Sequence, residues 1–122
     1  MKLIITIGDK KAEAILYDNP ASRDFVSLLP LTLTLDDYAQ TEKVATLPKK
    51  LSLENAPSGF KAAMGDITYY SPWGNMALFY EAFPYAPGLV SLGKITSGME
   101  NFKVKGSLKI TIAKQTDNET FK

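Results

Sequence analysis

The side chains of this chain that could carry chemistry are carboxylates, lysines and aromatic rings, because its 122 residues include no histidine and no cysteine. Without histidine the protein lacks the commonest general base and the usual zinc ligand, and without cysteine it has no thiolate nucleophile. Its 13 Asp and Glu residues form no calcium-binding loop or other dense set of ligands. The sequence therefore predicts no metal site and no cofactor, and it singles out no catalytic residue.

Three carboxylates, Glu42, Asp66 and Glu81, lie in or beside predicted strands. Two carboxyl groups that meet in a dry pocket can acquire different pKa values and perform acid–base catalysis. The spacing of these three does not show that any two of them meet. The favoured interpretation is that Glu42 and the adjacent Lys43 are charges on a solvated strand and that Asp66 caps a turn. Glu42 and Lys43 are also candidate ligand-binding residues.

The strongest candidate for a binding site is segment 65–81, GDITYYSPWGNMALFYE, which holds the single tryptophan. It predicts strands at 66–70 and 76–81, joined by a turn. Pro72 has the fixed negative φ that suits the start of a turn, and Gly74 or Asn75 can take the positive φ that closes it. Alternate side chains of a strand face opposite sides, so aromatic rings fall on both faces, which is more than one core requires. For any one ring, a structural role in the core or rim is the more common outcome. The candidate ligand-binding residues here, with Phe83 nearby on the following crossing, are Tyr69, Tyr70, Trp73, Asn75, Phe79 and Tyr85.

The composition limits the classes of partner that this protein can bind. The net charge is +1, from 14 Lys and Arg against 13 Asp and Glu, and no basic block is present, which argues against nucleic acid as a partner. The apolar run at the N-terminus is too short for a signal peptide, and no apolar stretch approaches the roughly 20 residues of a membrane span. We therefore expect a cytoplasmic protein with no membrane partner, either a monomer or a weak homodimer.

Alternating apolar residues predict strands along most of the chain. Segments 2–7 and 11–17 form a hairpin around Gly8-Asp9. Asn19-Pro20 then predicts the start of a helix over 20–29, because the Asn19 amide can cap the first turn and proline is favoured in that turn. We expect the apolar stripe of this helix to cover an open end of the sheet. The other predicted features are strands at 31–35, 42–47, 89–95 and 107–113, a break at Asp36-Asp37, a surface loop at 52–64, an irregular crossing at 82–88 and a helical turn at 99–102. Seven or eight short strands and one helix predict a mainly β fold, a closed β-barrel.

The two ends of the chain resemble the cyclophilins. Residues 5–30, ITIGDKKAEAILYDNPASRDFVSLLP, have their hairpin, proline-containing turn and helix with a phenylalanine, while LVSLGKITSGMENF and SLKITIAK have their last strands and glycine–methionine turn. The middle strings TLTLDDYAQTEKVATLPKKLS and GDITYYSPWGNMALFY are similar to small bacterial cyclophilin-like proteins. The resemblance implies a minimal cyclophilin-like barrel of about eight strands, with one domain over 1–115 and a flexible tail over 116–122. The biochemical role of that subfamily is mostly unassigned. The positions that carry the match near the C-terminal end are Gly93, Lys94, Gly98, Met99, Lys109, Ile110, Thr111, Ile112 and Ala113.

The middle of the chain departs from full cyclophilins, which carry an arginine, a glutamine, a tryptophan and a histidine around a proline pocket. The single arginine, Arg23, falls in the predicted helix, and Trp73 comes too early to match the family's tryptophan. Leu89 lies about where the family's histidine would be. Prolyl isomerisation in that family needs the arginine to stabilise a twisted amide, so the resemblance implies weak isomerase activity or none.

Three functions remain open. The first is a non-catalytic binding domain that takes a small molecule or a peptide in an aromatic-lined pocket. The second is an enzyme, either a weak or divergent peptidyl-prolyl isomerase or a catalyst that uses the carboxylates. The third is a protein–protein interaction module, for which Lys49, Lys50 and Lys61 around the long loop are candidate contacts.

Overall fold

Eight antiparallel strands close into a barrel in this computed structural model, which describes residues 1–115. The predicted tail at 116–122 lies outside the described residues. The elements in chain order are β1 (Lys2–Ile7), β2 (Lys10–Leu16), α1 (Pro20–Val26), β3 (Leu31–Tyr38), β4 (Glu42–Thr46), β5 (Gly59–Phe60), β6 (Asp66–Tyr70), β7 (Asn75–Phe79), β8 (Ala86–Pro87), β9 (Leu89–Ser97), a 3-10 helix (Met99–Phe102) and β10 (Leu108–Lys114).

The strands follow one another around the barrel in the order β1, β10, β3, β4, β7, β6, β9 and β2, and β2 pairs again with β1. The short strands β5 and β8 pair with each other in a separate two-stranded sheet. This architecture confirms the predicted closed barrel of about eight strands with one short helix. It also shows that the predicted loop at 52–64 and the predicted crossing at 82–88 each contribute a strand.

Two apolar clusters lie on opposite faces of the central hairpin, β6–β7. Met76 and Leu78 point into the barrel with the main core, whereas Ala77 and Phe79 point outward into a smaller cluster beneath Phe60 and other residues of the β5 and β8 region. This alternation is what the two-residue period of a strand dictates, and it confirms the predicted division of the hairpin's faces. The outer cluster forms the floor on which the site described below is built.

The helix α1 begins as predicted and ends early. Asn19 caps it by accepting a hydrogen bond of 2.8 Å from the Ser22 backbone N–H, and Phe25 is buried in the barrel core. The helix ends at Val26 rather than at residue 29. The backbone N–H groups of Leu28 and Leu29 instead donate to the carbonyls three residues earlier, as in a 3-10 turn. The α-helix cannot continue to Pro30, because the α conformation is disfavoured for the residue before a proline.

The predicted break at Asp36-Asp37 is wrong, because β3 continues through both residues to Tyr38. Each carboxylate has a partner from a distant part of the chain. The Ser107 hydroxyl donates to Asp36, and the Tyr80 hydroxyl donates to Asp37 at 3.0 Å. The longer strand carries Tyr38 to the side of β4, where it is paired with Glu42.

Lys43 is fully buried, so its interpretation as a solvated strand charge is wrong. Its ammonium group donates to the carbonyls of Val104 and Gly106 at 2.6 and 2.7 Å, and it pairs with Asp37 at 3.0 Å. The hydrogen bond from Lys43 lowers the pKa of Asp37 below its usual value. Lys43 therefore fastens the loop between the 3-10 helix and β10 to the barrel wall.

Candidate functional site

A pocket of about 180 Å³ opens on the outer face of the barrel. We call it the Trp73 pocket. It lies where β4, β6 and β7 meet the segment that follows β7. Its lining residues are Tyr38, Glu42, Tyr70, Trp73, Phe79, Phe83, Ala86 and Leu89.

Strand register positions most of this lining. Tyr38 of β3 is paired with Glu42 of β4, and Glu42 is paired in turn with Phe79 of β7. Directly opposed residues of antiparallel strands have Cβ atoms about 4.5–5.5 Å apart on the same face. The ladder therefore sets one carboxyl group between two aromatic rings. In the same way, Tyr70 of β6 is paired with Leu89 of β9.

The rings meet at steep angles. Trp73 makes edge-to-face contacts with Tyr38, at 5.5 Å and 81°, and with Tyr70, at 5.2 Å and 89°. Such pairs are the preferred geometry of aromatic rings and hold each ring in place. Trp73 nevertheless keeps 54% of its surface exposed. An indole that is held in position and yet exposed is available to a ligand.

Glu42 is the one carboxyl group of the lining, and burial among the rings raises its pKa to about 7. The ion pairs among residues 1–115 are Arg23–Asp18 and Lys43–Asp37, so Glu42 belongs to neither. Its carboxyl group is therefore partly neutral near pH 7, and within the described residues it pairs with no cation. Clefts that perturb a pKa in this way are frequent functional sites.

We expect Glu42→Gln to raise the melting temperature at pH 8 and to leave it unchanged at pH 4. The pKa of Glu42 is about 7 in the folded protein, above the ordinary value of 4.5. Between these two values the folded state binds more protons than the unfolded state, so this carboxyl group lowers stability as pH rises through the window. Glutamine removes that penalty. Thermal unfolding of both proteins from pH 4 to pH 8 measures it, and parallel curves would contradict the assigned burial.

Four of the eight candidate ligand-binding residues line the Trp73 pocket: Glu42, Tyr70, Trp73 and Phe79. The other four, Lys43, Tyr69, Asn75 and Tyr85, do not. Tyr69 lies in the barrel core, where its hydroxyl accepts a hydrogen bond from the Leu51 N–H. Asn75 accepts a bond from the Thr46 hydroxyl, and Tyr85 is exposed and shares a hydrogen bond with Ser58.

Four lining residues, Tyr38, Phe83, Ala86 and Leu89, were not among the predicted binding residues, although Phe83 was noted next to them. Tyr38 was missed because the predicted strand ended at residue 35, before Asp36-Asp37. With the strand continued to Tyr38, alternation places Tyr38 on the same face as Asp36. The resemblance placed Leu89 about where the cyclophilin histidine would be, which was the one sequence signal near this position. Ala86 belongs to β8, whose pairing with β5 has no signature in the sequence.

The other two candidate carboxylates, Asp66 and Glu81, do not line the pocket with Glu42. Asp66 accepts a hydrogen bond of 2.7 Å from the Ala63 N–H, which confirms that it caps a turn, and Glu81 is exposed. Within residues 1–115 no group of three or more acids is arranged to hold a metal ion. None of the helices described there is both long enough and apolar enough to cross a membrane.

Two larger cavities flank α1. One of about 250 Å³ is lined by residues of α1, of segment 54–60 and of β9, and one of about 460 Å³ lies beside Arg23 and the N-terminus. Each has a single aromatic residue in its lining, Phe60 in the first and Tyr17 in the second. The Trp73 pocket is smaller, but it combines several rings with a half-buried carboxyl group. We therefore take it as the candidate site.

Comparisons with known proteins agree with this fold. The solution structure of a hypothetical protein from Archaeoglobus fulgidus superimposes with a TM-score of 0.63 at 18% sequence identity, covering 94% of this chain and 95% of that one. No protein with a curated description matches the sequence. The sequence profile of the Cyclophilin-like family matches residues 5–113, which is nearly the whole described barrel. The chain therefore belongs to the cyclophilin-like family.

Proposed function

We propose that the barrel is a binding domain that holds one side-chain-sized group of a small molecule or a peptide in the Trp73 pocket. The observation that carries the proposal is the pocket itself, an aromatic-lined space of about 180 Å³ with Trp73 held in place and 54% exposed. That volume lies below the roughly 300–1,000 Å³ of pockets that enclose a whole drug-sized ligand.

The expected affinity for an isolated group is modest. Burying a methylene group contributes about 0.8 kcal/mol, so a group of four or five carbons contributes about 3–4 kcal/mol. A dissociation constant of 1 mM corresponds to about 4 kcal/mol. Fragments that fill only this pocket should therefore bind in the millimolar range, and tighter binding requires contacts outside it.

Binding is better supported than prolyl isomerisation. The family resemblance ties that reaction to an arginine beside the proline pocket. The single arginine, Arg23, lies on α1, where it pairs with Asp18 and lines the cavity beside the N-terminus. Lys49, Lys50 and Lys61 are all exposed, but isolated surface charges are weak support for an interaction module.

We expect side-chain-sized probes to change the fluorescence of Trp73 in a saturable way. Trp73 is the single tryptophan of the chain, so its emission reports on the pocket directly. N-acetyl amino acid methylamides with different side chains are suitable probes. Phe83→Ala removes one wall of the pocket and should weaken binding about tenfold, since about 1.4 kcal/mol of buried ring contact corresponds to that factor.

Tyr85→Ala is the matched control. Tyr85 is also an aromatic residue of the segment after β7, but it is 55% exposed and does not line the pocket. This variant should bind the probes as the wild type does, and circular dichroism should show that both variants are folded. The proposal fails if no probe of the series gives a saturable signal, or if the two variants lose affinity equally.

A further inference from the structure

The lining of the Trp73 pocket carries a negative charge and no positive charge. Glu42 is the one carboxyl group among the eight lining residues, and the lining includes no lysine or arginine. The other polar groups there are the hydroxyls of Tyr38 and Tyr70 and the indole N–H of Trp73, which are hydrogen-bonding groups rather than cations. The pocket therefore offers a ligand negative charge and no positive charge.

The surroundings of Glu42 reinforce this sign. β3 presents Tyr38 to it and β7 presents Phe79. The chain after β7 adds Tyr80 and the exposed Glu81. Burial and the hydrogen bond to Asp37 are the main causes of a raised pKa of Tyr80, and the negative charges of Glu81 and Glu42 add to it. The neighbouring Asp37 and Lys43 are paired with each other. Within the part of the chain that the structure describes, no cation pairs with Glu42.

The aromatic walls suit the same kind of ligand. The face of an aromatic ring is negative and attracts a cation that lies within about 6 Å of its centroid. Three rings of the lining, Tyr38, Tyr70 and Trp73, meet at 81° and 89° with centroids 5.5 and 5.2 Å apart. Rings set nearly at right angles form a corner, so a single group in the pocket can contact more than one of them.

From these observations, and resting on the binding function proposed above, we propose that the Trp73 pocket selects an organic ammonium group, held against the rings of Trp73 and Tyr38 and paired with the carboxylate of Glu42. The ammonium group is either that of a small amine or that of a lysine side chain on a peptide. Removing an ammonium group from water is costly unless it is paired. The pocket supplies that pairing through a carboxylate and the aromatic walls.

The proposal also predicts how binding depends on pH. An ammonium ligand is favoured by the ionised form of Glu42, whose pKa in the empty pocket is about 7. From about one tenth ionised at pH 6, this carboxyl group becomes about nine tenths ionised at pH 8. Affinity for an ammonium probe should therefore rise roughly ninefold over this range and then level off. Glu42→Gln should abolish the rise.

The experiment compares choline with 3,3-dimethyl-1-butanol, which has the same shape but carries a carbon in place of the charged nitrogen. Both are titrated at pH 8 with Trp73 emission as the signal, against the wild type and Glu42→Gln. We expect choline to bind the wild type at least tenfold more tightly than the alcohol, and we expect the variant to lose this preference. Because glutamine has nearly the shape of glutamate, binding of the alcohol should change little.

The outcomes separate this inference from the proposed function. If choline and the alcohol bind equally, the selection for a cation is wrong while binding in the pocket stands. If neither gives a saturable signal and the methylamide series also gives none, both proposals fail. A comparison of n-butylamine with N-acetyl-lysine methylamide distinguishes the two sources of the ammonium group. Tighter binding of the lysine derivative indicates a peptide, and equal binding indicates a free amine.

Discussion

Lys43→Met is expected to lower the free energy of unfolding by about 3 kcal/mol, because it leaves the partners of a fully buried ammonium group without a donor. Those partners are the carbonyls of Val104 and Gly106 and the carboxylate of Asp37. Methionine keeps most of the apolar stem, so the loss reflects the charge and the hydrogen bonds rather than a cavity.

The size of the stability loss in Lys43→Met depends on how exposed Asp37, the ion-pair partner of Lys43, is. Removing one member of a buried ion pair typically costs about 3–5 kcal/mol. Asp37 keeps 32% of its side chain exposed, and it also accepts a hydrogen bond from the Tyr80 hydroxyl. Solvent and that hydroxyl partly replace the lost ammonium group, which favours the lower end of the range. A loss of this size should lower the melting temperature by about 10 °C or more.

Urea unfolding of Lys43→Met beside Lys94→Met measures the effect. Lys94 is a matched control, since it is also a strand lysine but is exposed on β9. Its replacement should change stability by less than about 0.5 kcal/mol. Equal midpoints for the two variants would show that the ammonium group of Lys43 is not needed inside the barrel. Asp37→Asn combined with Lys43→Met should cost less than the sum of the single changes, because the two residues interact directly.

Gly93→Ala is expected to destabilise the barrel by more than about 3 kcal/mol or to prevent folding, because the new methyl group overlaps the backbone of the next strand. A Cβ atom at Gly93 would lie 2.0 Å from the Ile15 carbonyl oxygen and 2.9 Å from the Leu16 Cα atom. Gly93 is paired with Leu16 in the ladder between β9 and β2. A backbone cannot turn aside as a flexible side chain can, so β2 and β9 must separate, and this opens the closed barrel.

The control for this prediction is Gly8→Ala. Gly8 has φ of +63° and nothing within 4 Å of an added Cβ, so its substitution tests only the conformational cost of alanine in a left-handed turn, about 1–2 kcal/mol. Circular dichroism and urea unfolding of the two variants measure the difference. A Gly93→Ala protein that is folded and no less stable than Gly8→Ala would refute the close approach of β2 and β9.

Local patterns in the sequence predicted much of the fold correctly. The alternation predicted through segment 65–81 is found, since Met76 and Leu78 lie on one face of β7 and Ala77 and Phe79 on the other. Asn19-Pro20 marked the start of α1. These features depend on residues within a few positions of one another, because strand alternation and helix capping are properties of the local backbone.

The candidate site was only partly predictable. The sequence predicted the segment with Trp73 as a candidate binding region, because it gathers more aromatic rings than one core needs. The same argument could not separate Tyr70, which lines the pocket, from Tyr69, whose hydroxyl is bonded inside the barrel. The two residues are adjacent and alike, and their environments differ only through the strands and segments that cover each face.

By itself, the sequence determined the strand faces, the start of the helix, the closed barrel and the absence of histidine and cysteine chemistry. Only the tertiary structure decided that β3 continues through Asp36 and Asp37, that Lys43 is buried, and that Glu42 lies among the pocket rings. The reason is physical. A charged group is tolerated in a strand or in the interior when a partner compensates it, and the partners of Asp36, Asp37 and Lys43 lie up to 71 residues away along the chain. Their proximity exists only once the barrel has closed.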